Sequence, residues 1–500
     1  MPTLPVNEPE PAPSPERSPG LAILVLVAAL TLPLPAAAGV RPAYGGEVRV
    51  ALPAAPRITD PALATDPGDL LLVRAIHATP LELDADGRLS PGLLEEVPAP
   101  EAGGRAFRLR LRAGLRFSDG TPIAASDVAA AFVRLLAREG PAPNAWIALP
   151  VLGAEAFQAG RAATLAGVQV LSDRELLVTL ASAMPEWPWA LAAPAAAVVS
   201  RGGAGAGPFV LQGLDGAGAR LAANGLHWRG RPFADRLTVK GADPRAAARA
   251  LSGGDLELVL RPEAVPGATA TAPSPPLLAT YAVVNWRRLG SGAERVRRVL
   301  GALDRAELGK LYARGPSAPT STLVPQPVLA GPAAAPASPS APGAPGIPGQ
   351  ARLVLLAAAD VPDQRALAER LQVKLFDAGV RAAAELEGGG RFAARLAAED
   401  FDVALVPVQV TALAPALAGG QVALATRGPG AARRAMTELA GLPAAAAAPR
   451  AERLTRTLDL VPLFSTGVRA SAGPALQGLR IRADGAIDLG DLWLLRREGP

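Results

Sequence analysis

Cysteine is absent from this chain of 500 residues, and histidine occurs only twice. Without cysteine there can be no disulfide, no thiolate nucleophile or metal ligand, and no cysteine to carry a lipid. His77 and His227 are too few for a histidine-based metal or acid–base centre, and each is expected to be structural. Neither a Gly-x-Ser-x-Gly motif nor a grouping of serine, histidine and aspartate stands out. The sequence therefore predicts no catalytic residues, no metal site and no cofactor.

Aromatic residues make up only 4% of the chain, and lysine occurs only at Lys240, Lys310 and Lys374. Because few groups titrate between pH 7 and pH 10, a net charge of only +5 gives a pI near 10.1. The arginines are scattered as short doublets and do not form a stripe interleaved with aromatic residues. This pattern predicts a solvated, arginine-rich surface and no nucleic-acid partner.

Proline and glycine are plentiful, at 52 residues each, and the prolines concentrate in residues 1–19 and 315–350. The second of these segments is also dense in alanine and serine, and its small side chains favour a flexible insert over a packed core. The length of the chain predicts two or three domains or one large bilobed unit.

One apolar run, Leu21–Leu32, precedes a group of small residues that ends at Ala38. The run is too short to cross a hydrocarbon core of about 30 Å comfortably. It is typical of a secretory signal with cleavage after Ala38, although the residues before it are net acidic where basic ones are expected. An uncleaved membrane anchor and an ordinary buried segment remain alternatives. We expect residues 1–38 to be a signal peptide or N-terminal anchor of an exported, periplasmic protein.

Alternating polar and apolar residues predict strands at Glu47–Leu52 and Phe107–Arg112 in a first half that is rich in strands. Short strands are also expected at 115–117 and 479–482, and Ser126 is expected to cap a helix. From Arg352 onward, strands and helices alternate, which indicates an α/β architecture. The last residues return to short strands.

Several motifs follow one another in a fixed order. They are Pro91-Gly92-Leu93-Leu94-Glu95, Leu115-Arg116-Phe117-Ser118-Asp119-Gly120-Thr121-Pro122 with Ser126-Asp127-Val128, Gly205-Ala206-Gly207-Pro208-Phe209, Asn224 with His227-Trp228-Arg229-Gly230-Arg231-Pro232, and Val296-Arg297-Arg298-Val299-Leu300 with Asp304-Arg305. Together they resemble family 5 of the bacterial extracellular solute-binding proteins, the oligopeptide, dipeptide and nickel type that feeds ABC importers. The resemblance runs from about Gly45 to Trp493.

This resemblance implies an α/β, bilobal fold of the periplasmic-binding-protein type (type II, with an enlarged first lobe), whose two lobes are joined by crossover strands. The expected divisions are 45–270 for the first part of lobe I, 271–455 for lobe II with the flexible insert 315–350, and 456–500 for the return to lobe I. The chain is expected to be a monomer.

One segment departs from the family pattern. Members that bind peptides usually follow the strand that corresponds to Phe401–Val406 with a segment of the type Trp-x-x-Asp-Tyr, whose aspartate anchors the amino terminus of the ligand. Residues 407–414 contain neither the aromatic residues nor the carboxylate. Because a buried ammonium group without a partner is costly, a free amino terminus is not expected to bind here in the usual way.

The resemblance implies that a solute, a peptide or peptide-like compound among the candidates, is captured by hinge closure and passed to an ABC permease. The alternatives are a degenerate, non-transporting member with an interaction or structural role in the envelope and, less favoured, an enzyme on the same scaffold. By position, the residues expected to contact the ligand are Thr65, Asp66, Trp187, Trp189, Gln409, Thr411 and Phe464.

Overall fold

A computed structural model of the chain describes residues 41–84, 86–136, 142–329, 352–361 and 363–495. The apolar run Leu21–Leu32, the expected cleavage position Ala38 and residues 330–350 of the expected insert lie outside the described residues. Among the helices that are described, none is both long and apolar enough to cross a bilayer.

The strands are short and occur throughout the described chain. In order they are β1 (Glu47–Leu52), β2 (Leu81–Leu83), β3 (Leu89–Pro91), β4 (Pro100–Glu101), β5 (Ala106–Arg110), β6 (Val168–Ser172), β7 (Glu175–Thr179), β8 (Phe209–Asp215), β9 (Gly218–Ala223), β10 (Arg236–Gly241), β11 (Leu258–Arg261), β12 (Ala270–Pro273), β13 (Leu278–Val284), β14 (Ser317–Pro319), β15 (Leu353–Ala358), β16 (Ala382–Glu387), β17 (Val403–Gln409), β18 (Leu460–Thr466), β19 (Arg469–Ala472), β20 (Leu476–Gln477) and β21 (Trp493–Leu494).

The longer helices lie mainly in the second half. In order the α-helices are α1 (Pro67–Ile76), α2 (Ala125–Leu135), α3 (Ala154–Gln158), α4 (Pro244–Gly253), α5 (Trp286–Leu289), α6 (Gly292–Gly301), α7 (Arg305–Tyr312), α8 (Gln326–Leu329), α9 (Gln364–Asp377), α10 (Gly389–Ala397), α11 (Pro415–Arg427), α12 (Pro429–Leu439) and α13 (Ala444–Thr457). Two 3₁₀ segments, Ala145–Ile147 and Trp187–Ala192, are important for the contact between the lobes.

Lobe I is built on a seven-stranded sheet with the order β12-β19-β11-β1-β10-β9-β8. Its central strand β1 pairs in parallel with both β10 and β11. The strand β19 comes from the end of the chain and lies between β11 and β12, so the C-terminal residues complete the first sheet. A four-stranded antiparallel sheet, β4-β5-β7-β6, belongs to the same lobe.

Lobe II is built on a six-stranded sheet with the order β14-β18-β13-β17-β15-β16. Helices lie on both faces of this mixed sheet: α6, α7 and α9 pack on one face, and α11 and α13 contact strands from the other. Both faces of β13 are buried, since Tyr281 and Val283 belong to one core while Ala282 and Val284 belong to another. A sheet covered in this way explains the nearly continuous apolar character of β13 and β17.

Two crossovers join the lobes, one between β12 and β13 and one between β18 and β19. They are bonded to each other: the Ser274 amide donates to the Val468 carbonyl over 2.8 Å, and the Val468 amide donates to Ser274 Oγ over 2.9 Å. Gly467 lies so close that a Cβ at this position would be 2.7 Å from the Ser274 carbonyl oxygen. The crossovers therefore form one tight connection that requires glycine at this point.

Two short strands expected from sequence are only isolated bridges in the structure. Within residues 115–117, Arg116 forms a single bridge with Pro122, and within residues 479–482, Ile481 forms a single bridge with Ile487. The helix α2, expected to be capped by Ser126, begins at Ala125, so Ala124 takes the capping position. The Asp127 carboxylate accepts the Ala124 amide over 2.9 Å. Asp127 therefore satisfies a free amide at the start of α2, the task expected of Ser126.

The beginning of the expected flexible insert is packed. Residues 317–319 form β14, and Leu323 and Val324 are completely buried against lobe II. The Tyr281 hydroxyl donates to the Leu323 carbonyl over 2.9 Å, and the Thr455 hydroxyl accepts the Leu323 amide over 2.6 Å. The expectation of a flexible segment from residue 315 was wrong for this part, because a few large apolar residues among the prolines are enough to anchor it.

Candidate ligand-binding cleft

The loop between β1 and α1 is fixed by buried polar groups. The Asp69 carboxylate accepts the amides of Arg57 and Ile58 over 2.7 and 3.0 Å. The buried Asn144 amide donates to the carbonyl oxygen of Ala64 over 2.8 Å and also contacts those of residues 61 and 62. Rigid support of this kind places the next residues of the loop in a defined position.

Thr65 and Asp66 project from this loop with exposed side chains. Desolvation by the surrounding protein, followed by the nearby carboxylate of Asp69, raises the pKa of Asp66 above its ordinary value, while Arg57 opposes the shift. The carboxylate of Asp360, from lobe II, contributes to the same upward shift. Asp66 therefore lies where the two lobes face each other.

Arg57 and Asp360 form an ion pair between the lobes, with Nη2 and Oδ2 separated by 3.9 Å. Asp360 follows the C-terminal end of β15, and its carboxylate also accepts the Gly389 amide over 2.8 Å at the start of α10. Sequence reasoning missed both residues, because single charged residues in loops carry no signal until the fold brings the loops together.

Gln409 and Thr411 lie on the lobe II side, where β17 ends, and are half-buried. Both are held by the buried side chain of Gln421 from α11. Its Oε1 accepts the Thr411 amide over 3.0 Å, and its Nε2 donates to the Gln409 carbonyl over 2.9 Å. The neighbouring residues Val410 and Ala412 are buried in apolar surroundings. Residues 407–414, the segment that differs from the family pattern, thus form a largely apolar loop whose backbone is held by the side chain of Gln421.

The other candidate residues lie elsewhere. Trp187 is completely buried in lobe I, where its ring packs on Phe107 and Phe132 and its indole N–H donates to the Ile147 carbonyl over 3.1 Å. Phe464 is buried in the core that α7 and α9 form on the lobe II sheet. Trp189 is half-buried at the edge of the large core. The structure brings Thr65 and Asp66 towards lobe II but places Trp187 and Phe464 in the interiors of their lobes.

Both histidines are held as neutral, structural groups. His77 Nε2 lies 3.1 Å from the Thr59 carbonyl oxygen, and burial lowers the His77 pKa to about 4. His227 Nδ1 lies 2.9 Å from the Ala206 carbonyl oxygen, and burial lowers its pKa as well. Across the described ranges, no group of three or more histidine, aspartate or glutamate residues is arranged to hold a metal ion.

A cavity of about 240 Å³ lies within lobe I, lined by both histidines and several charged residues. Two ion pairs contribute to its wall: Arg74 with Asp484 at 2.6 Å, and Arg482 with Asp488 at 2.7 Å. Another arginine on its wall, Arg229, pairs with Glu82 at 2.6 Å. The pair of Arg74 and Asp484 joins the C-terminal segment to the first part of lobe I.

Two lobes, each with its own sheet, joined by two crossovers and facing each other across charged loops, define a binding protein of the periplasmic type. Residues 88–415 match the family described as bacterial extracellular solute-binding proteins, family 5 Middle. The chain belongs to the bacterial extracellular solute-binding proteins of family 5. The resemblance found in the sequence motifs and the expected bilobal α/β fold are both confirmed.

Solved structures with the same fold are numerous. The chain is similar to the murein tripeptide binding protein MppA of Escherichia coli (16% identity, TM-score 0.73, covering 90% of this chain and 99% of that one). It is also similar to OppA of Haemophilus influenzae in complex with RPPGFSPFR (16%, 0.72, 90% and 99%) and to the oligopeptide-binding protein AppA of Bacillus subtilis with a nonapeptide (15%, 0.70, 91% and 100%). No curated protein sequence matches the chain.

The family and the fold are those of binding proteins rather than of enzymes. A role as a solute-binding protein follows from the family, and the non-transporting alternative is not favoured. The coarse function expected from the sequence is therefore confirmed.

Proposed function

We propose that the chain captures a peptide-like solute between its lobes, on the outer side of the cytoplasmic membrane, and delivers it to an ABC permease. The observation that carries this proposal is the family match over residues 88–415 on a complete two-lobed architecture. The solved proteins of the same fold that are named above bind murein tripeptide, RPPGFSPFR and a nonapeptide. The protein acts by binding and release and carries out no chemical step on its ligand.

In this proposal the ligand contacts Thr65 and Asp66 from lobe I and the end of β17 from lobe II. Asp66 is supported as a contact by its exposed side chain and by its electrostatic coupling to Asp360 across the cleft. The Arg57–Asp360 ion pair is exposed, so a ligand can displace it at little cost. Gln409 and Thr411 are half-buried at this end of β17, and their side chains make only long contacts of 3.4 Å with the Val410 carbonyl and 3.5 Å with Gln421 Oε1, which a ligand can replace.

The amino terminus of a peptide would not be recognised by residues 407–414, because this segment contains no carboxylate and its Val410 and Ala412 are buried. We propose that the ligand is recognised mainly through its backbone and side chains. The protein would act as a monomer in the periplasm, after export directed by its N-terminal segment and with or without retention of that segment as a tether.

The decisive experiment for this proposal is native mass spectrometry of the protein purified from its own host. A bound peptide or peptide-like compound is expected as a discrete mass increment that disappears on unfolding. The released compound should bind again to the refolded protein, and Asp66→Asn should weaken that binding while the exposed loop variant Asp86→Asn should not. A protein that carries no small molecule and binds no member of a library of di- to nonapeptides would overturn the proposal.

A further inference from the structure

A second cavity, of about 260 Å³, lies in lobe I beside the end of β5 and shares no lining residue with the candidate ligand-binding cleft. Its wall is formed by the chain just beyond β5, by the residues before α2 and by the turn between β6 and β7. The charged residues that line it are Arg112, Arg116, Asp173 and Arg174. Three guanidinium groups and one carboxylate thus surround a single cavity.

The alternating arginines on the exposed face of β5 show which of these charges is unmatched. Arg108 lies 3.0 Å from Glu175 and 3.4 Å from Glu101. Arg110 lies 3.9 Å from Glu175. Arg112 continues the alternation just beyond the strand, but no carboxylate of the described residues lies within ion-pairing distance of its guanidinium group. Arg112 is therefore a positive charge without a counter-charge at the cavity.

Neutral groups hold the guanidinium groups of Arg112 and Arg116 in place. Arg112 Nε donates to the Gly92 carbonyl over 2.8 Å, and its guanidinium carbon lies 5.0 Å from the centre of the Trp228 ring. Arg116 Nη1 donates to the Gly120 carbonyl over 2.8 Å, and in the part of the chain that the structure describes it too has no carboxylate partner. A carbonyl group fixes the direction of a guanidinium group without cancelling its charge, so both groups keep N–H donors for another partner.

The turn between β6 and β7 adds one matched charge and one opposing charge. Arg174 donates through Nε and Nη2 to the Leu111 carbonyl over 3.1 and 2.9 Å, and Nη2 also donates to the Glu95 carboxylate. The Asp173 carbonyl accepts the Ala125 amide over 2.7 Å, whereas its side chain is exposed. Of the residues that line the cavity, Asp173 alone carries a negative charge, and its backbone rather than its carboxylate fixes the turn.

We propose that this cavity of lobe I, lined by Arg112, Arg116 and Arg174, binds a phosphate monoester. Two guanidinium groups without a carboxylate match the charge of about −2 that such an ester carries at neutral pH, and their N–H donors match its oxygen atoms in pairs. Leu115 and Ile123 line the same cavity and favour an ester with an organic group over inorganic phosphate. The site goes beyond the proposed function, because it uses residues that take no part in the cleft.

Isothermal titration calorimetry of the full chain with glycerol 3-phosphate, in a buffer free of phosphate, tests the proposal. One site per chain is expected, with tighter binding than that of inorganic phosphate. Dimethyl phosphate, a diester with a single negative charge, and acetate should not compete at the same concentration, because neither carries two charges. No binding of glycerol 3-phosphate, or equal binding of acetate, would overturn the proposal, whatever the cleft binds.

Three variants locate the site. Arg116→Gln removes an exposed guanidinium group and should weaken binding roughly tenfold, as expected for one charged hydrogen-bond donor. Asp173→Asn removes the opposing charge and should strengthen binding roughly threefold, a gain that a folding defect cannot produce. Arg88→Gln is the matched control, because this arginine is 78% exposed elsewhere in lobe I and the change in net charge is the same. An equal loss in Arg88→Gln and Arg116→Gln, or no gain in Asp173→Asn, would contradict the site.

The same phosphate chemistry occurs in soluble esters and in lipid headgroups, and vesicles distinguish the two sources. The protein is sedimented with vesicles of phosphatidylcholine, with and without phosphatidic acid, whose headgroup is a phosphate monoester. Sedimentation that requires phosphatidic acid, that glycerol 3-phosphate competes away and that Arg116→Gln abolishes assigns the site to a headgroup. Binding of the soluble ester without sedimentation assigns it to a solute.

Discussion

Arg74 and Asp484 form a buried ion pair at 2.6 Å although 410 residues separate them in the chain. Arg74 lies on α1, close after the first strand, and Asp484 belongs to the C-terminal segment that returns to lobe I. Burial alone would raise the pKa of Asp484, but the guanidinium groups of Arg74 and Arg482 outweigh it and hold this pKa below its ordinary value. The pair thus links the N-terminal and C-terminal parts of the chain within lobe I.

Breaking this pair should destabilise lobe I strongly. Asp484→Asn leaves the buried guanidinium of Arg74 without its counter-charge, and the expected loss in the free energy of unfolding is about 3 kcal/mol. Because the folded-state pKa of Asp484 is depressed, its contribution is present at neutral pH and is lost only as the pH falls through that depressed value. Urea unfolding at pH 7 measures the loss. The exposed pair of Arg88 and Asp86 is the control, and Asp86→Asn should change the stability by no more than about 0.5 kcal/mol.

His77 should also make stability fall at low pH, because burial disfavours its charged form. Its pKa is about 4 in the folded protein because it is buried, against an ordinary value of 6.5. The unfolded chain therefore binds a proton first, so stability is complete above pH 6.5 and falls between pH 6.5 and pH 4. Between pH 7.5 and pH 5, the parent protein should lose about 2 kcal/mol more than His77→Gln. Equal losses in the two proteins would contradict this account.

Gly467 should be intolerant of any side chain. A Cβ at this position would lie 2.7 Å from the carbonyl oxygen of Ser274, in the other crossover, and backbone atoms cannot move away cheaply. Gly467→Ala is expected to cost about 1–3 kcal/mol in the free energy of unfolding. Gly225→Ala serves as the matched control, because a Cβ there meets no atom within 4 Å. A neutral Gly467→Ala would show that the crossovers are not bonded as described.

Gln421 should determine the shape of the segment of lobe II that we propose faces the ligand. Gln421→Leu leaves the amide of Thr411 and the carbonyl of Gln409 without partners, at an expected cost of about 2 kcal/mol. Gln421→Glu keeps an acceptor for the Thr411 amide but places a buried carboxylate oxygen against the Gln409 carbonyl, so it is also expected to destabilise the protein. Urea unfolding gives the cost, and titration with the co-purified ligand should show weaker binding for both variants.

The sequence predicts best where a local pattern decides the structure. Alternation in Glu47–Leu52 predicted β1 with its exact bounds, alternation in Phe107–Arg112 predicted β5, which spans Ala106–Arg110, and the ordered motifs identified the family. Several motif residues are architectural: the Asn224 side chain, for example, donates to the Gly207 carbonyl over 2.8 Å and so ties two motifs together. Such residues specify the fold and carry no information about the ligand.

What the sequence did not predict depends on contacts between distant residues. The helix α11 lacks an amphipathic stripe because it is covered on nearly all sides. The spacing of its apolar residues therefore did not predict a helix. Arg57 and Asp360 meet only after the lobes have formed. Trp187 was expected by position to contact the ligand, but its ring is buried in lobe I, where it packs on Phe107. Burial of a single side chain cannot be read from spacing alone.

The central claim is that this two-lobed member of family 5 holds a peptide-like solute between Asp66 and the facing lobe, and native mass spectrometry tests it most directly. Protein purified from its host should carry a discrete peptide-like mass that returns after unfolding, removal and refolding, and that binds less tightly to Asp66→Asn than to Asp86→Asn. Protein that is empty as purified and stays empty with every peptide offered would contradict the account.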